Sequence, residues 1–296
     1  ILRPEWATNA VYKVTDNKQV QENNGCFTTD DLQTIWKDKE YADLGDELLQ
    51  LMETFNLCYP IPGLANHYIA PHLLPVEQKD YDWGDDADSD SDPGNNPDLT
   101  IRYEYEFMPK GIITRLIVQL YRWIERQQLV WRNGVVLNNS RARAELIENY
   151  RQYKGELRLR VSGIDPKELF SIITNEIDQI NATFEQIQVT KQIPCPCEEC
   201  ATDEDPYFFS KKILDRFLEK KRYDIPCGKS TLDVNVRDLL AILTPPVLAD
   251  RKASGDGLFG DLNDRKTAAI QQRYYEEKKL QNVQLYSGPP PQPMSN

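Results

Sequence analysis

The sequence has 296 residues, enough for about two domains at ~150 residues each, and its 40% hydrophobic and 28% charged residues are typical of a globular protein. A net charge of −12 disfavours nucleic acid as a partner, because binding to a phosphate backbone depends on clustered Lys and Arg. The chain has no run of about 18 apolar residues and no export signal, so we predict no membrane span and expect a cytoplasmic protein. The opening letters ILRPEWATNAVYKV are typical of an internal segment, which predicts that further protein precedes them.

Residues 1–79 predict a small, mainly helical domain. Three segments have helical character, namely EWATNAVYKVTDN, TTDDLQTIWKD and DELLQLMETF. The second has Thr28 or Thr29 as its N-cap, followed by acidic residues in the first turn. The third carries an apolar stripe, formed by Leu48, Leu51, Met52 and Phe55, with Leu49 as a further candidate member. Together with a brief strand pair around NHYIAPHLLP, this order is compatible with a winged-helix-like unit, for which the acidic charge favours a protein contact.

Residues 80–98 form an acidic segment with seven aspartates between Asp80 and Asp92. The alternate spacing of Asp86, Asp88 and Asp90 resembles the start of an EF-hand calcium loop. That loop requires Gly at its sixth position and Glu at its twelfth, where this chain has Ser91 and Pro97. We therefore interpret the segment as a solvated linker.

Residues 99–245 predict a second domain in which an antiparallel sheet packs with helices, so that the whole chain is α+β. The alternating letters LTIRYEYEF indicate a strand, and PKGIITRLIVQLYRWIERQ indicates a helix that begins near Pro109, with a wide apolar face over residues 112–124. The letters LVWRNGVVL predict a strand with a turn or bulge at Asn133-Gly134. Two further strands joined near Lys154-Gly155 and a helix over residues 166–184 follow. Residues 246–296 predict a linker or tail with one charged helix and a proline-rich end.

Four cysteines in an insert over residues 193–230 suggest a structural zinc site. Cys195, Cys197 and Cys200 lie within IPCPCEEC, and Cys227 follows after 26 intervening residues, again in the letters IPC. Two equivalent short strands that bring four thiolates together would suit tetrahedral zinc. Free thiols are the alternative, and a redox role is disfavoured because the C-x-x-C lacks a thioredoxin-like setting.

The residues that an enzyme would need are not found. The letters CGKST at residues 227–231 resemble the end of a phosphate-binding loop, but the motif requires Gly where this chain has Tyr223, and Pro226 lacks an N–H. His67 and His72 do not have the spacing of a zinc-protease helix. Cys26 and Cys58 are interpreted as small core residues. We therefore expect neither catalysis nor nucleotide binding by this chain itself.

The order of the segments LRPEWATNAVYKV, LMETFNLCYPI, YIAPHLLP, YEYEFMPKGIITRLIVQLYRWI and VWRNGVVL resembles the COR domain of Roco proteins over residues 2–243. The cysteine-rich insert looks like the version in prokaryotic members. The resemblance implies a non-catalytic regulatory module that follows a Ras-like GTPase domain, Roc, in the same polypeptide. It implies that the first half packs on Roc near its switch regions and that the second half carries the homodimer contact, coupled to the nucleotide state.

Two other functions remain as alternatives. A winged helix followed by a zinc ribbon would form a nucleic-acid-binding protein, although the net charge and the letters TTDDLQTIWKD of the candidate recognition helix argue against it. A metal or thiol enzyme built on the cysteines would require unusually reactive thiols.

Overall fold

The computed structural model describes residues 4–83, 98–151, 154–203 and 205–243. Most of the acidic segment, residues 84–97, and the predicted tail therefore lie outside the described residues. None of the described helices is long and apolar enough to cross a membrane.

The first part of the chain, up to residue 83, combines helices with a three-stranded antiparallel sheet. The elements are α1 (Pro4–Thr15), α2 (Lys18–Glu22), β1 (Cys26–Thr28), α3 (Thr29–Ile35), α4 (Gly45–Thr54), β2 (Tyr59–Pro60) and β3 (His67–Ile69). The strand order is β1-β3-β2. Of the two predicted N-caps of α3, the structure uses Thr28, whose hydroxyl accepts the N–H of Asp31 while the Asp31 carboxylate accepts the N–H of Thr28. The mainly helical character is confirmed, and the winged-helix interpretation stays a prediction.

The second part, from residue 98 onward, is built on a larger antiparallel sheet. Its elements are β4 (Leu99–Tyr105), α5 (Ile112–Leu120), β5 (Val130–Trp131), β6 (Gly134–Asn138), β7 (Ala142–Arg151), β8 (Lys154–Gly163), α6 (Pro166–Ala182), β9 (Val189–Pro194), α7 (Glu198–Ala201), β10 (Phe208–Ser210), α8 (Lys211–Glu219), β11 (Asp224–Pro226), β12 (Asp233–Asn235) and α9 (Val236–Ala241). Within the described ranges the sheet has seven strands in the order β10-β9-β4-β8-β7-β6-β5, and β11 pairs with β12 separately. The predicted α+β class is confirmed.

One face of the seven-stranded sheet is covered by α5 and α6. Alternate residues of β4 are buried on this face, namely Leu99, Ile101, Tyr103 and Tyr105, as expected for a strand with one apolar side. The apolar stripes of both helices pack against these residues in one continuous core. The alternating apolar residues that predicted β4 from the sequence are therefore the residues that are buried in the core.

Two details of the sequence interpretation were wrong. The helix predicted over residues 109–127 is shorter, because Gly111 has a left-handed φ of 94° before its start and Ile124, at ψ 120°, is extended beyond its end. Separate 3-10 turns follow Leu120. The second error concerns Phe55, which was assigned to the apolar stripe of α4 but follows the helix end and is 64% exposed.

The last elements of the described part of the chain surround a core of their own. It contains the four cysteines of the insert and apolar residues from β9, β10, α8, β11, β12 and α9. Ile242 and Leu243 pack against both this small core and the core of the large sheet. The cysteine-containing region is therefore an extension at one edge of the sheet.

Candidate metal centre

The structure brings the four predicted cysteines together, although they come from three places in the chain. Cys195 directly follows β9, Cys197 and Cys200 lie at the N-cap and in the single turn of α7, and Cys227 follows β11. All four side chains are buried. We call these residues the cysteine cluster.

The spacing of the sulfur atoms fits one tetrahedral metal ion. All four Sγ atoms lie within 4.8 Å of one another, and the Sγ atoms of Cys200 and Cys227 are 3.6 Å apart. In a tetrahedral zinc site with Zn–S distances of about 2.3 Å, the sulfurs are about 3.8 Å apart. The four cysteines can therefore hold a metal ion with little movement.

The cluster is built on two turns closed by the same kind of backbone hydrogen bond, residues 197–201 and residues 227–231. In the first turn the N–H of Ala201 donates to the carbonyl oxygen of Cys197 at 2.8 Å. In the second turn the N–H of Thr231 donates to the carbonyl oxygen of Cys227 at 3.0 Å. Each turn thus begins with a cysteine whose carbonyl closes the turn four residues later.

Hydrogen-bond donors surround the sulfurs and favour thiolates. The backbone N–H of Tyr207 donates to Cys200 Sγ and that of Lys229 donates to Cys227 Sγ, both at 3.4 Å. Burial opposes ionisation of Cys227, but hydrogen bonds from Ser230 and Lys229 lower its pKa to about 6. The hydrogen bond from the Ser230 hydroxyl likewise lowers the pKa of Cys197. Burial raises the pKa of Cys195 and Cys200.

The glycine of the letters CGKST serves packing. A Cβ atom on Gly228 would lie 2.3 Å from the ring of Tyr207, so only glycine lets this ring lie against the second turn. The lysine of the same letters, Lys229, pairs with Asp203 at 2.8 Å and links the second turn to the chain after the first. Both residues therefore have a structural explanation that involves no phosphate.

The repeated letters IPC stand at the ends of two strands, as the sequence suggested, because Cys195 directly follows β9 and Cys227 directly follows β11. The two strands belong to different sheets, β9 to the seven-stranded one and β11 to the two-stranded one. The closing hydrogen bond of each turn also aligns Cys197 with Cys227, which places Ser230 at the position of Cys200. Ser230 was missed as a site residue, and the signal for it was the spacing of C-x2-C in CEEC against C-x2-S in CGKS.

Other residues considered from the sequence lie elsewhere. Cys58 is fully buried in the core of the first part, and Cys26 is partly buried in β1. His67 lies in β3, and its Nδ1–H donates a hydrogen bond to the carbonyl oxygen of Ala65 at 2.8 Å. Asp86, Asp88 and Asp90 of the rejected calcium loop fall outside the described residues.

The fold is a two-part α+β module. Helices and a small sheet form the first part, and a larger antiparallel sheet with a cysteine-rich edge forms the second. Comparison with known protein families identifies the family to which this module belongs. The model of the "C-terminal of Roc, COR-A domain" matches residues 1–74, and that of the "C-terminal of Roc, COR-B domain" matches residues 96–242. Together they span about three quarters of the chain. The chain therefore belongs to the COR family of Roco-type proteins, and the resemblance noted from its sequence is confirmed.

Curated relatives agree with this assignment. A Roc-COR-CHAT protease from an unknown prokaryotic organism is 24% identical over 222 residues, which cover 73% of this chain and 19% of the relative. Two Dictyostelium discoideum proteins are also similar. The probable serine/threonine-protein kinase pats1 is 24% identical over 81% of this chain and 8% of its own length, and the probable serine/threonine-protein kinase qkgA is 28% identical over 47% and 9%. The chain thus spans less than a fifth of each of these relatives.

Proposed function

We propose that this chain is the non-catalytic regulatory and homodimerisation module of a cytoplasmic Roco-type protein. The observation that carries the proposal is the match of both COR models in their family order, COR-A before COR-B. In this proposal a Roc GTPase domain precedes the chain in the same polypeptide and contacts COR-A. The nucleotide state of Roc then controls dimerisation through COR-B.

Exposed aromatic side chains at one end of the large sheet are the candidate dimer contact. Phe107, just after β4, is 67% exposed, and Tyr150, near the end of β7, is 41% exposed. Tyr105 of β4 and Tyr150 of β7 both pair with Gly155 of β8, so the two aromatic residues lie at the same end of the sheet. A small apolar patch of this kind can pair with its own copy across a twofold axis.

The molar mass in solution tests this proposal. We expect light scattering over a hundredfold concentration range to rise from 34.3 kDa toward twice that value. Phe107→Glu should hold the chain at the monomer mass, because it places a charge in the apolar contact. Ile164→Glu is the matched control, since Ile164 is 76% exposed but follows β8 at the opposite end of the sheet. A native chain that stays monomeric at every concentration would refute homodimerisation through this module.

Coupling to the GTPase requires a second measurement. The Roc domain should bind the chain, and replacing GDP with a non-hydrolysable GTP analogue should shift the monomer–dimer equilibrium of the complex. An equilibrium that is the same with both nucleotides would contradict coupling while leaving dimerisation itself intact.

The cysteine cluster is proposed to hold one structural zinc ion. Four sulfur ligands and no histidine suit zinc in a closed site without an open position for substrate. We expect elemental analysis of the purified chain to give one equivalent of zinc, against less than about a tenth of an equivalent if the cysteines are free thiols.

A nucleic-acid-binding role is not favoured by the candidate recognition helix. α3 has Asp30 and Asp31 in its first turn and contains no Lys or Arg. If α3 lay against nucleic acid, these negatively charged carboxylates would be repelled by the negatively charged phosphates. A salt-dependent shift of labelled DNA by the native chain would revive this alternative.

A further inference from the structure

We propose that Cys195 completes the zinc site in place of a cysteine at position 230, so that the site is a two-turn zinc centre whose second turn carries serine at its second ligand position. This inference rests on the zinc proposed above. It explains why three of the four cysteine ligands lie in the two turns and the fourth, Cys195, lies at the end of β9.

The first step is the equivalence of the two turns. In each, the leading cysteine accepts the N–H four residues later on its carbonyl oxygen. In the second turn the sulfur of Cys227 also accepts the N–H of Lys229 at 3.4 Å. Zinc ribbons commonly use two C-x2-C turns, each supplying two thiolates. Here the first turn supplies Cys197 and Cys200, and the second supplies Cys227 and a hydroxyl.

The second step is the direction of the Ser230 side chain. Its Oγ atom lies 3.3 Å from Cys197 Sγ, across the cluster from its own turn. The N–H of Leu232 donates to the same oxygen at 3.3 Å, which leaves the hydroxyl proton for a sulfur. A neutral hydroxyl is a poorer zinc ligand than a thiolate, but it is a good donor to one. Position 230 therefore faces the cluster, and serine there supports the thiolates.

The third step is the origin of the fourth sulfur. Cys195 belongs to neither turn and lies where β9 ends, held by the hydrogen bond from its N–H to the carbonyl oxygen of Tyr207 at 2.7 Å. It is 3% exposed, and its Sγ is among the four within 4.8 Å. Cys195, at the end of β9, thus provides the fourth sulfur ligand that the second turn does not contain. This also fixes the metal site directly to the seven-stranded sheet.

Moving the thiol from one position to the other tests the inference. We expect Cys195→Ala to lower the zinc affinity of the chain by more than about tenfold, the loss seen even when only a supporting residue is removed. The double variant Cys195→Ala/Ser230→Cys should restore one zinc equivalent and most of that affinity. The control Cys195→Ala/Leu232→Cys has the same number of thiols, but its new thiol lies at the half-exposed position 232. We expect its zinc affinity to stay as low as that of Cys195→Ala.

Zinc affinity is measured by competition with a chromogenic chelator, and Co²⁺ is substituted to compare thiolate-to-metal absorption. The native chain and the Cys195→Ala/Ser230→Cys variant should show equal absorption, and Cys195→Ala should show less. If the native chain binds no zinc, the zinc proposal itself fails. If the native chain binds zinc and Cys195→Ala binds it equally well, only the role of Cys195 is refuted.

A second variant covers the case in which Cys195→Ala does not fold. Ser230→Cys in the otherwise native chain gives five thiols around one tetrahedral ion, so it should keep one zinc and leave one thiol free. Peptide mapping after treatment with a thiol reagent should place part of the label on Cys195, because the new thiol takes its place on the metal. If the label lies at position 230 alone, the new thiol does not reach the metal and the inference is overturned.

Discussion

Glu148 is a carboxylate on the apolar face of the large sheet. It follows Ala142, Ala144 and Leu146 on the inward side of β7 and is only 4% exposed. Its Oε1 atom accepts the N–H of Ile113 at 3.4 Å, at the beginning of α5. Burial raises the pKa of Glu148 to about 7, while this backbone hydrogen bond and one involving Tyr150 act in the opposite direction. Near neutral pH the side chain is therefore partly protonated inside the core.

This raised pKa makes stability depend on pH. Because the folded chain holds the proton more tightly than the unfolded chain, where glutamate has a pKa of about 4.3, the free energy of unfolding falls as pH rises from about 4.5 to about 7. The loss from this residue is on the order of 3 kcal/mol. We expect Glu148→Gln to raise the free energy of unfolding above that of the native chain by more at pH 8 than at pH 5. Urea unfolding of both chains at the two pH values measures this difference.

The control for this prediction is Glu106→Gln, which changes an exposed glutamate just after β4. It should change the free energy of unfolding by the same small amount at the two pH values. A Glu148→Gln effect that is equal at pH 5 and pH 8 would show that burial does not control the ionisation of Glu148.

At the scale of elements, the cysteine-containing extension is too small to be stable by its own core. Its strands β10, β11 and β12 have three residues each, and its apolar cluster is separate from the main one except through neighbours such as Ile242 and Leu243. Small units of this kind usually need a metal or disulfides to fold. Binding of zinc would therefore supply the folding free energy of this extension.

Removing the metal should consequently unfold the extension and leave the large sheet folded. We expect a chelator to increase hydrogen exchange in α8, β11, β12 and α9, while β7 and β8 stay protected because their core does not include the cysteines. Mass spectrometry of exchanged peptides distinguishes these regions. Equal protection with and without chelator, in a chain shown to have lost its metal, would contradict a folding role for zinc.

The elements that could be predicted are those whose pattern extends over several turns or strand residues. β4 and α6 are long enough for alternation or helical spacing to identify them, and the capping residues around Thr28 have a local chemical signature. The end of α5 could not be predicted, because apolar residues continue past Leu120 with helical spacing while the backbone has already turned. Apolar spacing shows which residues face a core, and it does not show where the helix ends.

The cysteine cluster was partly predictable for a similar reason. Residue type and the C-x2-C spacing suggested which four thiols meet, but β10, β11 and β12 are too short to give a periodic signal. The repeated letters IPC indicated two strand ends that carry cysteines, and the C-x2-S spacing of CGKS is the local signal that points to Ser230. The contact of Ser230 with Cys197 depends on how the two turns pack, which a local sequence pattern does not specify.

At the scale of the whole described module, COR-A and COR-B share part of one core. Tyr59 of β2 is 1% exposed within the core of the large sheet and stacks on Tyr121, with ring centroids 5.4 Å apart. The backbone N–H of Arg132 donates to the carbonyl oxygen of Pro75 at 2.8 Å, and its guanidinium donates to that of Leu74 at 3.0 Å. These contacts join the two halves through buried apolar surface as well as through the chain.

We therefore expect COR-A and COR-B to unfold together, so that peptides from α4 and β7 lose protection at the same urea concentration in pulsed hydrogen exchange. Tyr59→Ala should cost about 3–5 kcal/mol, as for other buried aromatic residues, and should let α4 unfold at lower urea than β7 because the shared core is broken. Tyr12→Ala is the control, since Tyr12 lies in α1 and is 58% exposed. Separate urea midpoints for α4 and β7 in the native chain would show that the two halves are independent.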